Sequence, residues 1–154
     1  MITIARIDER LIHGQVAFAW SVQYPSDAIL VIDDEVCKDN FQKSLLEMAT
    51  PLGMRCFVKN QEDATEFLKK HQKKKIFVVV KSPKPLLHIV KNGVELKEIN
   101  VGGLYHKEGR EQISNTVFLD EELKDIFRQL KSEGVKLEIR ATPSDRSIDL
   151  EEKL

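Results

Sequence analysis

Apolar and polar positions along the chain predict strands and helices that alternate almost without exception. The pattern predicts strands at 1–6, 28–32, 55–58, 75–80, 98–101 and 116–119, and an alternating run predicts the last at 137–140. The continuous apolar run at 28–32 is typical of a strand covered on both faces. Between the strands, a mostly apolar stretch predicts a helix at 14–22, and apolar residues at helical spacing predict helices at 40–49, 61–70 and 121–133. A further helix is predicted to open at Ser82-Pro83 and to end at Asn92-Gly93. This alternation predicts one α/β domain over 1–154, with an open, mainly parallel sheet of about seven strands and helices on both faces.

Side chains that cap helices indicate where four of the helices begin. Asp39, Asn60 and Asp120 each precede a predicted helix and can accept hydrogen bonds from its first turn. Ser82-Pro83 opens another helix in the usual order, with the cap first and proline in the first turn. The stretch 102–114 interrupts the alternation and is long, polar and glycine-bearing, which is typical of a functional loop. The charged tail after residue 141 is predicted to lie on the surface.

Composition excludes several classes of function. The 154 residues carry 24 Lys and Arg against 25 Asp and Glu, so nothing indicates nucleic acid as a partner. No apolar run approaches the ~20 residues that span a bilayer, and no signal-peptide pattern is present. Cys37 and Cys56 are too few for a disulfide or metal framework and are predicted to be buried thiols in a reducing cytoplasm.

The first loop holds the strongest candidate for chemistry. His13 follows Arg6, Asp8 and Arg10 and is followed directly by Gly14. A polar loop between a strand and a helix is where open α/β sheets place ligands. The arginines and the unpaired amides of the next helix favour an anion there. A histidine among such groups suits a phosphohistidine, because the phosphoryl charge must be offset.

Each neighbour of His13 has a predicted role. A lone histidine is more often solvated or structural, and the surrounding residues are what favour a functional histidine. Arg10 is permanently charged and can bind two phosphate oxygens at once. Asp8 can accept a hydrogen bond from a loop amide or an arginine and so fix the loop. Gly14 removes a side chain beside the imidazole, so another protein's phosphohistidine can come close.

The segment 6–16, Arg-Ile-Asp-Glu-Arg-Leu-Ile-His-Gly-Gln-Val, resembles the active-site segment of a known family. This family is the IIB component of the mannose/fructose/sorbose class of the bacterial phosphoenolpyruvate-dependent sugar phosphotransferase system. Segments 33–36, 100–103, 137–140 and 143–145 fall where the family has similar ones, so the resemblance covers nearly the whole chain. The family fold is an open, mostly parallel sheet flanked by helices, which agrees with the pattern above.

The resemblance implies a histidine phosphotransferase that works in sugar uptake. His13 would accept a phosphoryl group on Nδ1 from a phosphorylated IIA protein and pass it to a sugar held by the membrane components IIC and IID. Arg10 would steady the phosphate and Asp8 would shape the loop. Contacts with the phosphate or a partner are predicted for Arg6, Gly14, Gln15, Gly102 and Gly103. The implied location is the cytoplasm, at the inner face of the membrane, and no cofactor or metal is expected.

Several alternatives stay open. Gly102-Gly103 fits either a tight turn or backbone that approaches the phosphate, on the same sheet edge as His13. His71, His88 and His106 are predicted to be solvated, and the basic run 69–75 is either a solvated helix end or a docking surface for an acidic partner. A regulatory homologue and a phosphate- or nucleotide-binding module are the competing functions, although the first loop has one glycine where the latter has several. Monomer and homodimer both fit, and the sugar is not specified.

Overall fold

The computed structural model describes all 154 residues as nine strands and five α-helices. The strands are β1 Ile2–Asp8, β2 Ala28–Ile32, β3 Arg55–Lys59, β4 Ile76–Val80, β5 Glu98–Gly103, β6 Glu111–Gln112, β7 Phe118–Leu119, β8 Lys136–Ile139 and β9 Ile148–Asp149. The helices are α1 Gly14–Gln23, α2 Asn40–Ala49, α3 Gln61–Lys70, α4 Lys84–Lys91 and α5 Glu121–Ser132. Short 3-10 helices lie at Val36–Lys38 and Leu150–Lys153.

Seven strands form one sheet in the order β3-β2-β4-β1-β5-β8-β9. All of them run parallel except β9, which pairs antiparallel with β8. The predicted fold class is therefore confirmed. Helices cover both faces, because α3, α4 and α5 pack on one buried cluster and α1 and α2 on another. Successive residues of β2 and β4 alternate between these clusters, which explains their continuous apolar runs.

The seventh strand is not the one that the sequence predicted. The predicted strand at 116–119 lies outside the main sheet, where β7 pairs with β6 in a separate two-stranded sheet. The seventh strand of the main sheet is instead β9, which lies in the tail that was predicted to be at the surface. Leu150 directly after β9 is fully buried. The charged tail has only Ile148, Leu150 and Leu154 as large apolar residues, which are too few to define a strand, so hydropathy alone could not place β9.

Most predicted helix starts are confirmed. The side chains of Asp39, Asn60 and Asp120 accept hydrogen bonds from first-turn amides of α2, α3 and α5. The predicted cap at Ser82 is wrong, because α4 begins at Lys84 and Pro83 occupies the cap position without a side-chain bond. Ser82 lies one residue too early to reach the free amides of the first turn.

Strand order places two loops side by side at the carboxyl edge of the sheet. β1 lies between β4 and β5, and its chain continues through α1 toward β2. The chain leaving β5 continues in the opposite direction, through α5 to β8. The carboxyl ends of β1 and β5 therefore flank a point where strand order reverses, which is where open α/β sheets form ligand crevices.

Candidate functional site

The loop at 9–13 is held from inside by two apolar side chains. Leu11 and Ile12 are buried in the cluster under α1. Leu11 has a left-handed backbone with φ 59°, and its amide donates to the Asp8 carbonyl at 2.9 Å. Such a conformation costs free energy in a branched residue, and burial of the side chain offsets it. This turn leaves the side chains of Arg10 and His13 at the surface.

Asp8 is the shared acceptor of the site. Its carboxylate is fully buried at the end of β1. Oδ1 accepts from the Arg10 amide at 3.0 Å, from Arg10 Nε at 3.3 Å and from the Tyr105 hydroxyl at 3.2 Å. Oδ2 faces Arg6 Nη2 at 3.3 Å, Arg10 Nη2 at 3.4 Å and His13 Nε2 at 3.3 Å.

Burial acts to raise the pKa of Asp8, but the hydrogen bonds from Arg10 and the charge of Arg6 outweigh it and hold this pKa below its usual range. Asp8 is therefore ionised at neutral pH. It accepts hydrogen bonds from a loop amide and from the arginines, which are the contacts expected of a residue that shapes the loop.

His13 occupies the N-cap position of α1 with its side chain 27% exposed. The ring is anchored through Nε2, and Nδ1 has no hydrogen-bond partner in the protein. Gly14 is exposed with φ 38°, and no atom lies within 4 Å of where a Cβ would be. Gln15 is exposed in the same turn. The space beside the imidazole is therefore open on the side of Gly14, and the approach of another protein's phosphohistidine there stays a prediction.

Arg10 lies beside His13 because both bind the same carboxylate. Its side chain is 55% exposed, and its Cζ atom lies 5.0 Å from the centroid of the Tyr105 ring. Nε and Nη2 face Asp8, whereas Nη1 has no partner in the protein. One edge of the guanidinium is thus fixed, and the other can bind an anion.

Arg6 lies inside the protein instead of at the rim. Its guanidinium donates to Asn100 Oδ1 at 2.6 Å, to Asp8 Oδ2 at 3.3 Å and to the carbonyls of Arg140 and Ala141 at 3.1 and 3.0 Å. The residue is 3% exposed and also lies over the Trp20 ring. Arg6 therefore ties the end of β1 to β5 and to the chain after β8. The phosphate contact predicted for it stays a prediction, and the observed contacts support Asp8.

Gly102 and Gly103 lie on the same edge as His13, but in a strand. They are the last residues of β5 and are buried, so the tight-turn alternative is wrong. A Cβ on Gly102 would lie 2.2 Å from Arg6 Cζ, and one on Gly103 would lie 2.2 Å from the Tyr105 hydroxyl. Both glycines therefore leave space for larger side chains of the site. Direct contact of their backbone with a phosphate or a partner stays a prediction.

Sequence reasoning missed Tyr105 and the contacts that hold it. Glu9 Oε1 accepts from the Tyr105 amide at 2.6 Å and from Arg110 Nη1 at 2.9 Å, and Glu9 Oε2 lies 3.0 Å from Lys107 Nζ. The adjacent glycines, Gly102 and Gly103, were the available signal. A glycine has no side chain, so it leaves room beside the Asp8 carboxylate for the large side chain of another residue.

The remaining candidates lie outside this cluster. His106 is exposed and packs edge-on against Phe118 at 5.6 Å, while His88 lies in α4 and His71 follows α3. Cys37 and Cys56 are free thiols and half-buried, so they are less buried than predicted. No group of three or more His, Cys, Asp or Glu side chains is arranged to hold a metal ion. None of the helices combines the length and the apolar character needed to cross a bilayer.

Comparisons with known proteins identify the family of this chain. Residues 2–154 match the family described as the PTS system sorbose subfamily IIB component. The sorbose-specific EIIB component of Lacticaseibacillus casei is 38% identical over 100% of this chain and 95% of that protein. The mannose-specific EIIAB component of Escherichia coli K12 is 32% identical, with 97% of this chain and 47% of that protein covered.

A solved structure of a related protein has the same fold. The crystal structure of the IIBSor domain of the sorbose permease from Klebsiella pneumoniae superposes with a TM-score of 0.95 and 35% identity. The match covers 99% of this chain and 95% of that one. The chain therefore belongs to the sorbose subfamily of IIB components of the sugar phosphotransferase system.

Proposed function

We propose that this protein carries a phosphoryl group on His13 during sugar uptake. His13 accepts the group from a phosphohistidine on a IIA protein and passes it to a sugar imported by IIC and IID components. The observation that carries this proposal is the orientation of the imidazole. Nε2 faces the buried carboxylate of Asp8, whereas Nδ1 is free of protein partners.

The carboxylate selects the reactive tautomer of His13. Ionised Asp8 accepts a hydrogen bond, so it favours the tautomer with hydrogen on Nε2 and the lone pair on Nδ1. That lone pair attacks phosphorus, and a new N–P bond forms as the bond from phosphorus to the donor's ring nitrogen breaks. The electron pair of the broken bond stays on the donor ring. Asp8 then offsets the positive charge of the phosphorylated imidazole, as a carboxylate does beside other catalytic histidines.

The charge on the transferred group is offset without a metal. The free edge of the Arg10 guanidinium and the N-terminus of α1 both lie next to His13. Phosphoryl transfer needs little from a protein beyond alignment and charge compensation, and these groups supply both. We therefore expect transfer to His13 to continue in excess EDTA. Complete loss of transfer in chelator, restored by added Mg²⁺, would contradict this expectation.

In the second step the group leaves His13. A sugar hydroxyl oxygen attacks phosphorus, the N–P bond breaks, its electron pair returns to Nδ1, and the hydroxyl proton is released. The named relatives indicate which sugars to assay, because they are specific for sorbose, mannose or N-acetylgalactosamine. The protein would act in the cytoplasm, at the inner face of the membrane. The relative named EIIAB supports a IIA partner for this chain.

The test follows phosphate from donor to sugar. The protein is incubated with labelled phosphoenolpyruvate, the general phosphotransferase proteins and a IIA protein. We expect an acid-labile label that His13→Ala abolishes and the control His106→Ala retains. Membranes containing IIC and IID are then added with each of the three sugars, and sugar phosphate is measured. Label that persists in His13→Ala would overturn the role of His13, and a labelled protein that phosphorylates no sugar would favour the regulatory alternative.

A further inference from the structure

Tyr105 is in contact with both groups that surround His13. Its hydroxyl donates to Asp8 Oδ1 at 3.2 Å, on the oxygen that does not face His13. Its ring lies under the guanidinium of Arg10, 5.0 Å from Cζ to the ring centroid. A single side chain thus touches the carboxylate that orients the imidazole and the cation that faces the phosphate.

The surrounding chain is built to hold Tyr105 in this place. Gly103 pairs with Asp8 in the sheet, and a Cβ there would lie 2.2 Å from the tyrosine hydroxyl. The backbone of Tyr105 is fixed at both polar groups, because its amide donates to Glu9 at 2.6 Å and its carbonyl accepts from Arg110 at 2.8 Å. Arg110 and Glu9 also bind each other at 2.9 Å. These contacts fix the backbone of Tyr105, while its side chain is held by the contacts with Asp8 and Arg10.

We infer that Tyr105 is a positioning residue for the phosphoryl transfer that we propose at His13. Its hydroxyl fixes the plane of the Asp8 carboxylate, so that Oδ2 stays directed at His13 Nε2. Its ring supports Arg10 by a cation–π contact, so that the free edge of the guanidinium stays beside the imidazole. Tyr105 does not touch the reacting atoms, and it acts through Asp8 and Arg10.

The tyrosine keeps its proton in this setting. Burial and the negative charge of Asp8 raise the pKa of Tyr105 to about 12, so the phenol remains protonated across the physiological range. A protonated phenol is a hydrogen-bond donor to the carboxylate, whereas phenolate would repel it. The direction of the bond from Tyr105 to Asp8 is therefore fixed.

Two substitutions distinguish the contribution of the Tyr105 hydroxyl from that of its ring. Tyr105→Phe removes the bond to Asp8 and keeps the surface under Arg10, whereas Tyr105→Ala removes both. The matched control is Tyr24→Phe, because Tyr24 is the only other tyrosine and its hydroxyl accepts from Arg140 at 3.3 Å, outside the Asp8 cluster. Single-turnover transfer is measured from phospho-IIA, and from phosphoramidate as a small donor that needs no docking.

We expect Tyr105→Phe to slow transfer from both donors by about tenfold, as for the loss of one hydrogen bond to a charged group. The phospho-IIA concentration that gives half-maximal rate should not change, because Tyr105 acts inside the site. Tyr105→Ala should be slower still, and its phosphohistidine should have a shorter lifetime because Arg10 loses its support. Tyr24→Phe should match the wild type.

Two further readouts distinguish positioning from a role in folding. The ¹⁵N shifts of the His13 ring should move in Tyr105→Phe from the Nε2–H tautomer toward a mixture, under conditions in which urea unfolding shows that the variant is fully folded. Unchanged rates and an unchanged tautomer in both Tyr105 variants would overturn the inference. A wild type that neither donor phosphorylates would instead overturn the proposed function.

Discussion

The Nε2 atom of His13 and the Oδ2 atom of Asp8 lie 3.3 Å apart, and the carboxylate is inaccessible to solvent whereas the imidazole is 27% exposed. The ring is therefore held from the protein interior and presented to the exterior. This arrangement makes Asp8 the residue whose substitution should change the chemistry of His13 most directly without touching the reacting nitrogen.

Asp8→Asn should slow phosphoryl transfer to His13 by about 10²-fold, because an amide can donate to Nε2 and favour the tautomer in which Nδ1 carries hydrogen. Single-turnover labelling from phospho-IIA measures this rate. Asp34→Asn is the control, because Asp34 is exposed at the same edge of the sheet and caps α3 through the Gln61 amide. A rate for Asp8→Asn equal to that of the control would show that the carboxylate does not govern the imidazole.

The contribution of Asp8 to stability should depend on pH. Its pKa in the folded protein lies below the ordinary value of 3.8, so its stabilising effect is complete above that value and is lost as pH falls through the lowered pKa. At pH 7, Asp8→Asn should cost on the order of 3 kcal/mol, since it leaves the buried Arg6 charge without its anionic partner. Urea unfolding of both proteins from pH 7 to pH 3 should show this difference shrinking at the acid end. A difference that stays constant over this range would contradict the assignment.

Arg10→Ala should slow transfer by about 10²-fold and shorten the lifetime of the phosphoprotein, because a preorganised charge beside the phosphoryl group is lost. Arg10→Lys should recover only part of the rate, since an ammonium cannot keep two contacts with Asp8 and also face the phosphate. The control is Arg128→Ala on α5, whose side chain is similarly exposed and pairs with Glu121. Kinetics of Arg10→Ala that match this control would remove the role proposed for Arg10.

Gly102→Ala should destabilise the protein by about 1–3 kcal/mol, because the new methyl overlaps the guanidinium of Arg6. The same change in an Arg6→Ala background should cost much less, since the obstructing side chain is gone. A double-mutant cycle in urea measures this coupling. Additive effects would mean that Gly102 is required for another reason.

Hydropathy predicted the sheet and the two layers of helices, and the polar residues before the helices predicted three caps, because each depends on local sequence. β2 and β4 are continuous apolar runs, and Asp39, Asn60 and Asp120 each bind amides two or three residues away. The placement of β7 and β9 could not be predicted in this way. Both are two-residue strands whose pairing depends on where the longer strands bring the chain.

The contacts of the site also differ in whether the sequence could predict them. The position of His13 at the start of α1 and its proximity to Asp8 and Arg10 followed from one contiguous segment. Burial of Arg6 did not follow, because its acceptors Asn100, Arg140 and Ala141 lie more than 90 residues away in sequence. Tyr105 was missed for the same reason, since it meets Asp8 only through the pairing of β1 with β5.

The open space around Gly14 that lets a partner approach His13 also lets water approach it. No atom lies within 4 Å of where a Cβ on Gly14 would be, so this side of His13 is open to water as well as to a protein partner. For the phosphorylated His13 that we propose, hydrolysis by this water competes with delivery even with Arg10 beside the phosphoryl group. The efficiency of the proposed carrier therefore depends on how quickly its next partner arrives.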